Sequence, residues 1–215
     1  MRSRSQESRR VLLVLLLAFL LGSPALAGGQ QPYIDGDELN FAFLDLEGRT
    51  VRSSDPEFRD KVLLIDLWAT WCPPCLSEIP TLIDLQERLG ERGLVIVAIA
   101  FESEDEEEES RRERLRAFVE QQGINYLVLD GRAPRDSAEA LPGLKNVGGL
   151  PVEILIDRNG APVNVRNGFG YKKRWARKLE RELVELLDAP AAARPANDRA
   201  ENAATAPSWQ FETGG

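Results

Sequence analysis

The chain of 215 residues contains two cysteines, Cys72 and Cys75, which lie together in the stretch WCPPC. It contains no histidine. Two thiols separated by two residues can close a disulfide within one helical turn and can open it again. The sequence therefore predicts sulfur chemistry at this point of the chain.

Elements of regular structure are predicted on both sides of the cysteines. Residues Val62–Trp68 are apolar and β-favouring apart from Asp66, a pattern typical of a buried parallel strand. Pro73 and Pro74 prevent further strand pairing. Apolar residues then recur at helical spacing until Gly90, which is a suitable helix stop. The cysteines are thus expected where a strand turns into a helix.

The helix start gives the two cysteines different roles. Cys72 falls at the N-cap, the prolines at the first two helical positions, and Cys75 at the third. The Cys75 N–H can point at the Cys72 sulfur, and the helix dipole favours a thiolate there, so the Cys72 pKa should lie below the roughly 8.5 of a free thiol. The two prolines moderate this effect, because each removes one N–H donor. We therefore expect Cys72 to be the nucleophile and Cys75 the resolving thiol.

Two other interpretations of the cysteine pair stay open. Half of a zinc site would need further ligands from carboxylates or a second chain, because no other Cys or His exists. A purely structural disulfide would close a very short loop, and such a loop constrains little of the unfolded chain. The pattern favours redox activity over both.

The segment around the cysteines resembles the thioredoxin-like fold. In particular it resembles the TlpA/ResA/CcmG group of exported thiol-disulfide oxidoreductases, whose active sites commonly read W-C-P-P-C or close to it. The resemblance covers roughly residues 39–187. It implies an α/β fold with a central mixed β-sheet flanked by helices, an N-terminal β-hairpin and a central α/β insertion.

The resemblance also implies roles for two acids. Asp66, six residues before Cys72, matches a buried acid behind the active site of thioredoxins. Glu78, three residues after Cys75, matches a buried active-site glutamate of the ResA-like group, and Pro80 matches a proline in the active-site helix. Both acids are expected to manage protons in the reaction, one of them by deprotonating the resolving thiol. The alternatives are a satisfied core acid for Asp66 and a first-turn surface residue for Glu78.

A substrate-binding surface is implied in the same way. Pro151 matches the cis-proline that faces the cysteines in thioredoxin-like proteins, and the backbone of Leu150 would be exposed for pairing with an incoming peptide. Trp71, Pro73 and Pro74 complete the expected surface.

The residues after this proline depart from the family pattern. Val152-Glu153 replaces the threonines that are common there, and the glutamate lies one residue later than in the cytochrome-maturation branch. The branch of the group, and with it the substrate, therefore stays open.

The N-terminus has the three parts of a secretory signal peptide. Residues 1–10 carry four arginines and one acid, residues 11–22 are apolar, and Ala25-Leu26-Ala27 matches a cleavage site. Twelve apolar residues are few for a membrane span of about 20, although an uncleaved anchor is the alternative. The predicted organisation is a signal peptide or anchor (1–27), a lead-in (28–38), a thioredoxin-like domain (39–188) and a disordered tail (189–215).

Further elements follow from local patterns. Residues 94–100 are predicted to form the most buried strand, in a βαβ unit with the cysteines at the carboxyl end of its first strand. The run of seven acids in 102–109 indicates either a surface that selects a basic partner or, preferably, a solvated loop and first helical turn. The other expected elements are a helix at 110–122, a strand at 124–129, a short helix near 137–141, a hairpin around 157–160 and a C-terminal helix at 172–188.

The predicted function is that of an exported thiol-disulfide oxidoreductase. The expected location is a bacterial periplasm. The resemblance implies a reductant of protein disulfides, with apocytochrome c or copper-site cysteines as substrates and a membrane thiol-transfer protein as electron donor. The alternatives are an oxidant or isomerase of exported proteins, and an assembly factor that holds Cu(I) between the two thiolates. No cofactor or resident metal is expected, and a net charge of −8 does not favour nucleic acid as a partner.

Overall fold

The computed structural model describes residues 31–102, 107–131, 141–167 and 172–190. The predicted signal peptide, the tail beyond residue 190, four residues of the acidic run and most of the expected helix near 137–141 lie outside these residues. Within the described ranges, no helix is long and apolar enough to cross a membrane.

The described residues form strands, three α-helices and a 3-10 turn at Pro56–Phe58. The strands are β1 (Tyr33–Ile34), β2 (Ala42–Asp45), β3 (Thr50–Arg52), β4 (Val62–Trp68), β5 (Leu94–Ala100), β6 (Leu127–Asp130), β7 (Leu144–Lys145), β8 (Val152–Ile156) and β9 (Pro162–Asn167). The α-helices are α1 (Pro73–Leu89), α2 (Glu108–Gln122) and α3 (Lys172–Asp188).

A seven-stranded mixed sheet forms the centre of the molecule and confirms the predicted fold class. Its strand order is β3-β2-β6-β5-β4-β8-β9. Strands β4, β5 and β6 are parallel to one another, and the other neighbouring pairs are antiparallel.

Strand β4 leads directly into the cysteines and is fully buried. All seven of its residues are buried, because β5 and β8 flank it and side chains cover both faces. We expected β5 to be the most buried, and this was wrong, since Val95 is partly exposed. The predicted βαβ unit of β4, α1 and β5 is confirmed, with the cysteines at the carboxyl end of β4.

Alternation along β4 divides the core into two layers. Leu64 and Trp68 face a cluster that includes both cysteines and residues from all three helices. Leu63, Ile65 and Leu67 face a second cluster, which contains four phenylalanines, among them Phe43 of the N-terminal hairpin. By the same alternation, Asp66 faces the layer that holds the cysteines.

The predicted central insertion is present with shifted boundaries. Helix α2 begins two residues earlier than expected, at Glu108, because the Glu107 carboxylate caps it by accepting a hydrogen bond from Ser110 N. It ends at Gly123, whose left-handed backbone (φ 65°) suits glycine. The strand was expected at 124–129 and lies at Leu127–Asp130, in register with β5.

The remaining elements agree with the sequence except at the lead-in. The hairpins β2–β3 and β8–β9 and the bounds of α3 are as predicted. Strands β1 and β7 were not predicted, and they pair with each other in a separate two-stranded sheet. The lead-in therefore makes backbone contacts with a segment that is distant along the chain.

Candidate active site

The two cysteines form a disulfide at the start of α1. The sulfur atoms are 2.03 Å apart and the Cα atoms 5.3 Å apart. Both side chains are buried, within the same layer as Trp68. The pair thus lies at the end of a fully buried strand, which fixes its position.

The N-terminus of the helix has the predicted arrangement. Cys72 is the N-cap, the prolines occupy the first two helical positions, and the Cys75 N–H points at the Cys72 Sγ from 3.3 Å. A backbone donor and the positive end of a 17-residue helix therefore act on this sulfur. The same donor would stabilise a thiolate at Cys72 once the disulfide is reduced.

The expected substrate-binding residues lie around the disulfide. Trp71 is 62% exposed, and Pro73 and Pro74 are exposed beside it. The Leu150–Pro151 peptide bond is cis, and Leu150 packs against the buried cluster that contains both cysteines. The structure thus brings these five residues to the same end of the sheet as the sulfur atoms.

Both predicted acids are buried in the layer of the cysteines. Glu78 is fully buried, which contradicts the alternative of a first-turn surface residue. Asp66 is 3% exposed, and burial raises its pKa well above the ordinary value, with a further contribution from the charge of Glu153.

Tyr126 lies near these buried acids, and the sequence did not predict it as a residue of the site. Its ring is buried in the layer of the cysteines. Burial raises the pKa of its hydroxyl, and the charges of Asp66 and Glu78 raise it further, so Tyr126 interacts electrostatically with each of these acids. An aromatic residue next to a strand gives no sequence signal for such a role.

Glu153 is also buried, on the strand that follows the cis-proline. The carboxylate accepts hydrogen bonds from Arg166 Nε at 2.5 Å and from Trp175 Nε1 at 3.0 Å. Burial raises its pKa, while the charge and hydrogen bond of Arg166 oppose the rise. The sequence marked this residue only as a departure from the family pattern.

Glu102 corrects the interpretation of the acidic run. The preferred interpretation was a solvated loop, but Glu102 is 4% exposed and binds the segment that leads into the cysteines. Its two oxygens accept from Thr70 N at 2.7 Å and Thr70 Oγ1 at 2.8 Å, and Arg114 donates to it as well. The position of Glu102 could have distinguished it from the other acids of the run, since it follows β5 at the same sheet edge as the cysteines.

Within the part of the chain that the structure describes, no group of three or more His, Cys, Asp or Glu side chains could hold a metal ion.

The site as a whole provides a thiol pair, a helix N-terminus and buried carboxyls, which are the requirements of disulfide exchange.

Comparison with known proteins agrees with this chemistry. Residues 36–162, more than half of the chain, match the model of the AhpC/TSA family. A thiol-disulfide oxidoreductase ResA of Bacillus cereus is 30% identical over 158 residues, which cover 72% of this chain and 83% of that protein.

Solved structures give the same fold. A thiol:disulfide interchange protein of the thioredoxin family from Chlorobium tepidum TLS is 25% identical, with a TM-score of 0.56 over 72% of this chain and 97% of that one. A secreted thiol-disulfide isomerase from Corynebacterium glutamicum is 20% identical, with a TM-score of 0.56 over 78% and 98% of the two chains, and shows the shared fold alone. The chain belongs to the AhpC/TSA family and is a thioredoxin-like thiol-disulfide oxidoreductase whose redox-active pair is Cys72–Cys75.

Proposed function

We propose that this protein is an exported reductant of protein disulfides, with Cys72 as nucleophile and Cys75 as resolving thiol. The observation that carries the assignment of these two roles is the Cys75 N–H, which lies 3.3 Å from the Cys72 Sγ at the start of a long helix. The direction of electron flow rests on what the resemblance to the TlpA/ResA/CcmG group implies. A thiolate is the attacking form of cysteine, and this position favours the thiolate at Cys72. The reduced protein would therefore begin its reaction from Cys72.

The reaction proceeds in two exchanges. The Cys72 thiolate attacks one sulfur of a substrate disulfide, a mixed disulfide forms, and the other substrate sulfur leaves as a thiolate that takes up a proton. Cys75 then loses its proton, attacks the Cys72 sulfur and releases the second substrate thiol. The substrate gains two electrons and two protons, one proton coming from Cys75 and the other from solvent because Cys72 starts as a thiolate, and the Cys72–Cys75 disulfide remains.

Buried acids are proposed to handle the proton of Cys75. A base in this layer should have a raised pKa, because a proton acceptor is most effective when its pKa lies near the working pH. Burial provides that condition for Asp66, while Glu78 is fully buried on the same helix turn as Cys75. We assign the proton transfer to these two residues.

The substrate is proposed to be an extended peptide that carries paired cysteines. Trp71, 62% exposed, and the prolines that follow the nucleophile offer apolar contact, and the Leu150 backbone offers strand-like pairing. Apocytochrome c and the copper-site cysteines of a respiratory oxidase are the proposed substrate classes, because the resemblance to the TlpA/ResA/CcmG group implies them. A membrane thiol-transfer protein is the proposed electron donor.

The proposed export rests on the sequence of the N-terminus, with residues 1–27 as signal peptide or anchor. In an oxidising compartment a dithiol stays reduced only if a dedicated donor recharges it. The proposed location outside the cytosol and the proposed donor therefore depend on each other.

A trapping experiment tests the order of the two cysteines. Reduced Cys75→Ser protein is mixed with a peptide that contains an internal disulfide between cysteines two residues apart, and the products are weighed by mass spectrometry. We expect a stable mixed disulfide at Cys72, because the resolving thiol is absent.

The matched variant is Cys72→Ser, which retains only the resolving thiol. It should form little adduct in the same time, since Cys75 is not the sulfur that accepts the helix N–H bond. Equal or faster trapping by Cys72→Ser would contradict the proposal. A copper titration of the reduced wild-type protein addresses the Cu(I)-binding alternative, which requires tight stoichiometric binding.

A further inference from the structure

Asp66 and Glu153 face each other across two neighbouring strands. The antiparallel register of β4 and β8 makes them direct Cα partners. Their neighbours Leu64 and Leu155 belong to the layer of the cysteines, so both carboxyls point into that layer. Asp66 is 3% and Glu153 1% exposed, which leaves little water to screen one charge from the other.

The two carboxyls differ in what surrounds their oxygen atoms. Both Glu153 oxygens accept hydrogen bonds, one from Arg166 Nε and the other from Trp175 Nε1. Acceptance at both oxygens suits an ionised carboxylate, since a protonated acid would need an acceptor for its own hydrogen. Asp66 Oδ1, in contrast, has no hydrogen-bond partner among the described residues.

Arg166 holds Glu153 from the next strand and is itself fixed by the C-terminal helix. It lies opposite Glu153 in the β8–β9 register, and its Nη1 donates to Glu182 at 2.5 Å. Lys178 lies 3.6 Å from Glu182 on the same helix. The position of the Glu153 charge is therefore set by contacts from two elements, β9 and α3.

We propose that Glu153 is a positioning residue of the redox reaction, whose fixed carboxylate opposite Asp66 makes Asp66 the proton-holding member of a buried acid pair. Glu153 does not touch the sulfur atoms in this role. It acts through Asp66, because a charge on one carboxyl disfavours a charge on its buried neighbour.

The proposal means that Glu153 ionises before Asp66. The other groups that face the two acids are consistent with this order. Tyr126 interacts electrostatically with Asp66 and with Glu78, and neither Tyr126 nor Glu78 carries positive charge. The positive charge of Arg166 contacts Glu153. Burial together with the Glu153 charge raises the pKa of Asp66, whereas Arg166 opposes the corresponding rise at Glu153.

The consequence for catalysis rests on the proposed role of Asp66 as the base for Cys75. A neighbouring negative charge makes Asp66 a stronger base than burial alone would make it. Loss of that charge should therefore weaken proton removal from Cys75 and move the pH dependence of the resolving step to lower pH.

The test is a titration of the carboxyl carbons by NMR in the oxidised protein. Glu153→Gln should lower the midpoint of Asp66 by about one pH unit, because the like charge is gone. Asp66→Asn should leave the midpoint of Glu153 nearly unchanged, because Glu153 ionises while Asp66 is still neutral. The second variant keeps the test decisive if Glu153→Gln does not fold.

The reverse pattern would overturn the proposal. If Asp66→Asn lowers the Glu153 midpoint, or a folded Glu153→Gln leaves the Asp66 midpoint in place, Glu153 does not make Asp66 hold the proton. Glu180→Gln is the matched control: it removes a partly exposed carboxylate that pairs with Arg88 between α1 and α3, and it should leave the Asp66 midpoint unchanged.

A kinetic measurement separates this inference from the function on which it rests. Stopped-flow rates of the resolving step in Glu153→Gln should shift in pH by the same amount as the Asp66 midpoint. If Asp66→Asn leaves the pH profile of that step intact, Asp66 is not the base and the catalytic proposal fails, whereas the titration still decides whether the acid pair exists.

Discussion

At the scale of single residues, the two sulfur atoms of the disulfide are distinguished by one backbone hydrogen bond. The Cys75 N–H points at Cys72, at 3.3 Å, and it is retained although Pro73 and Pro74, at the two preceding positions, have no N–H to donate. The remaining chemistry depends on carboxyls that the fold has removed from water. Loss of solvent is the main cause of the raised pKa values of Asp66 and Glu153, and neighbouring charges change them further.

Glu78 provides a prediction at this scale. Glu78→Gln keeps the size of the buried side chain but removes its ability to exchange a proton, so the resolving step should slow on the order of a hundredfold. The rate is measured by stopped-flow fluorescence with a disulfide peptide, and the thiol pKa values are measured by alkylation against pH.

The control for this variant is Glu87→Gln, which changes an exposed glutamate of the same helix. It should leave the resolving rate and the thiol pKa values as in the wild type. If Glu78→Gln behaves like this control in both measurements, the proposed proton role of Glu78 is wrong.

At the scale of elements, the strand-to-helix turn that carries the cysteines is held from its neighbour β5. Phe101 N donates to Trp68 O at 2.8 Å, and Glu102 then receives the backbone and hydroxyl donors of Thr70. Arg114 on α2 joins the contact by donating to both Thr70 and Glu102. The central insertion therefore supports the active-site turn directly.

Glu102→Ala tests this support. The change leaves the Thr70 N–H without its acceptor, and we expect the free energy of unfolding to fall by about 1–3 kcal/mol. Urea denaturation followed by tryptophan fluorescence measures the change. The control is Glu109→Ala, an exposed residue of the same acidic run, whose effect should be much smaller. Equal effects would mean that Glu102 does not anchor the turn.

The elements were largely predictable because their signals are local. The apolar run of β4, the proline pair and the helical spacing after it are properties of adjacent residues, and α3 was predicted with its observed bounds. The pairing of Tyr33–Ile34 with Leu144–Lys145 was not, because two residues on each side carry no periodicity.

The residues of the active site also divide into those that could be predicted from the sequence and those that could not. Cys72, Cys75 and the helix N-terminus follow from spacing, and the resemblance to known oxidoreductases directed attention to Asp66 and Glu78. Glu102 and Glu153 could not be assigned, because their partners come from distant elements, and the sequence alone does not show which acid in a run is buried.

At the scale of the whole molecule, the distribution of acids matters more than the net charge of −8. The exposed carboxylate of Asp84, beside Arg88, has a pKa lowered by hydrogen bonding to that cation. The buried carboxyls of Asp66 and Glu153 have raised pKa values, chiefly through desolvation. The contributions of Asp84 and of these buried acids to stability therefore respond to pH in opposite directions.

This distribution predicts the pH dependence of stability. A carboxyl whose pKa is higher in the folded than in the unfolded state binds protons preferentially in the folded state, so stability falls as pH rises from about 4 through the raised pKa. Asp66→Asn should therefore reduce the loss of unfolding free energy between about pH 5 and pH 8 in the oxidised protein. Each unit by which the Asp66 pKa is raised corresponds to about 1.36 kcal/mol.

Urea denaturation at both pH values measures this difference. Asp84→Asn is the control, because an exposed acid with a lowered pKa contributes stability that is lost only on acidification, and its slope between about pH 5 and pH 8 should match the wild type. An Asp66→Asn slope as steep as the wild-type slope would contradict a raised Asp66 pKa.

The reduction potential of the Cys72–Cys75 pair tests the proposed direction of electron flow most directly. The protein is equilibrated in thiol/disulfide buffers of known potential, with the fluorescence of Trp68 and Trp71 as readout, since both lie close to the pair along the chain. We predict a value near or below roughly −270 mV, as in thioredoxin, which suits a reductant fed by a dedicated donor. A value near roughly −120 mV would describe an oxidant and would contradict the proposed function.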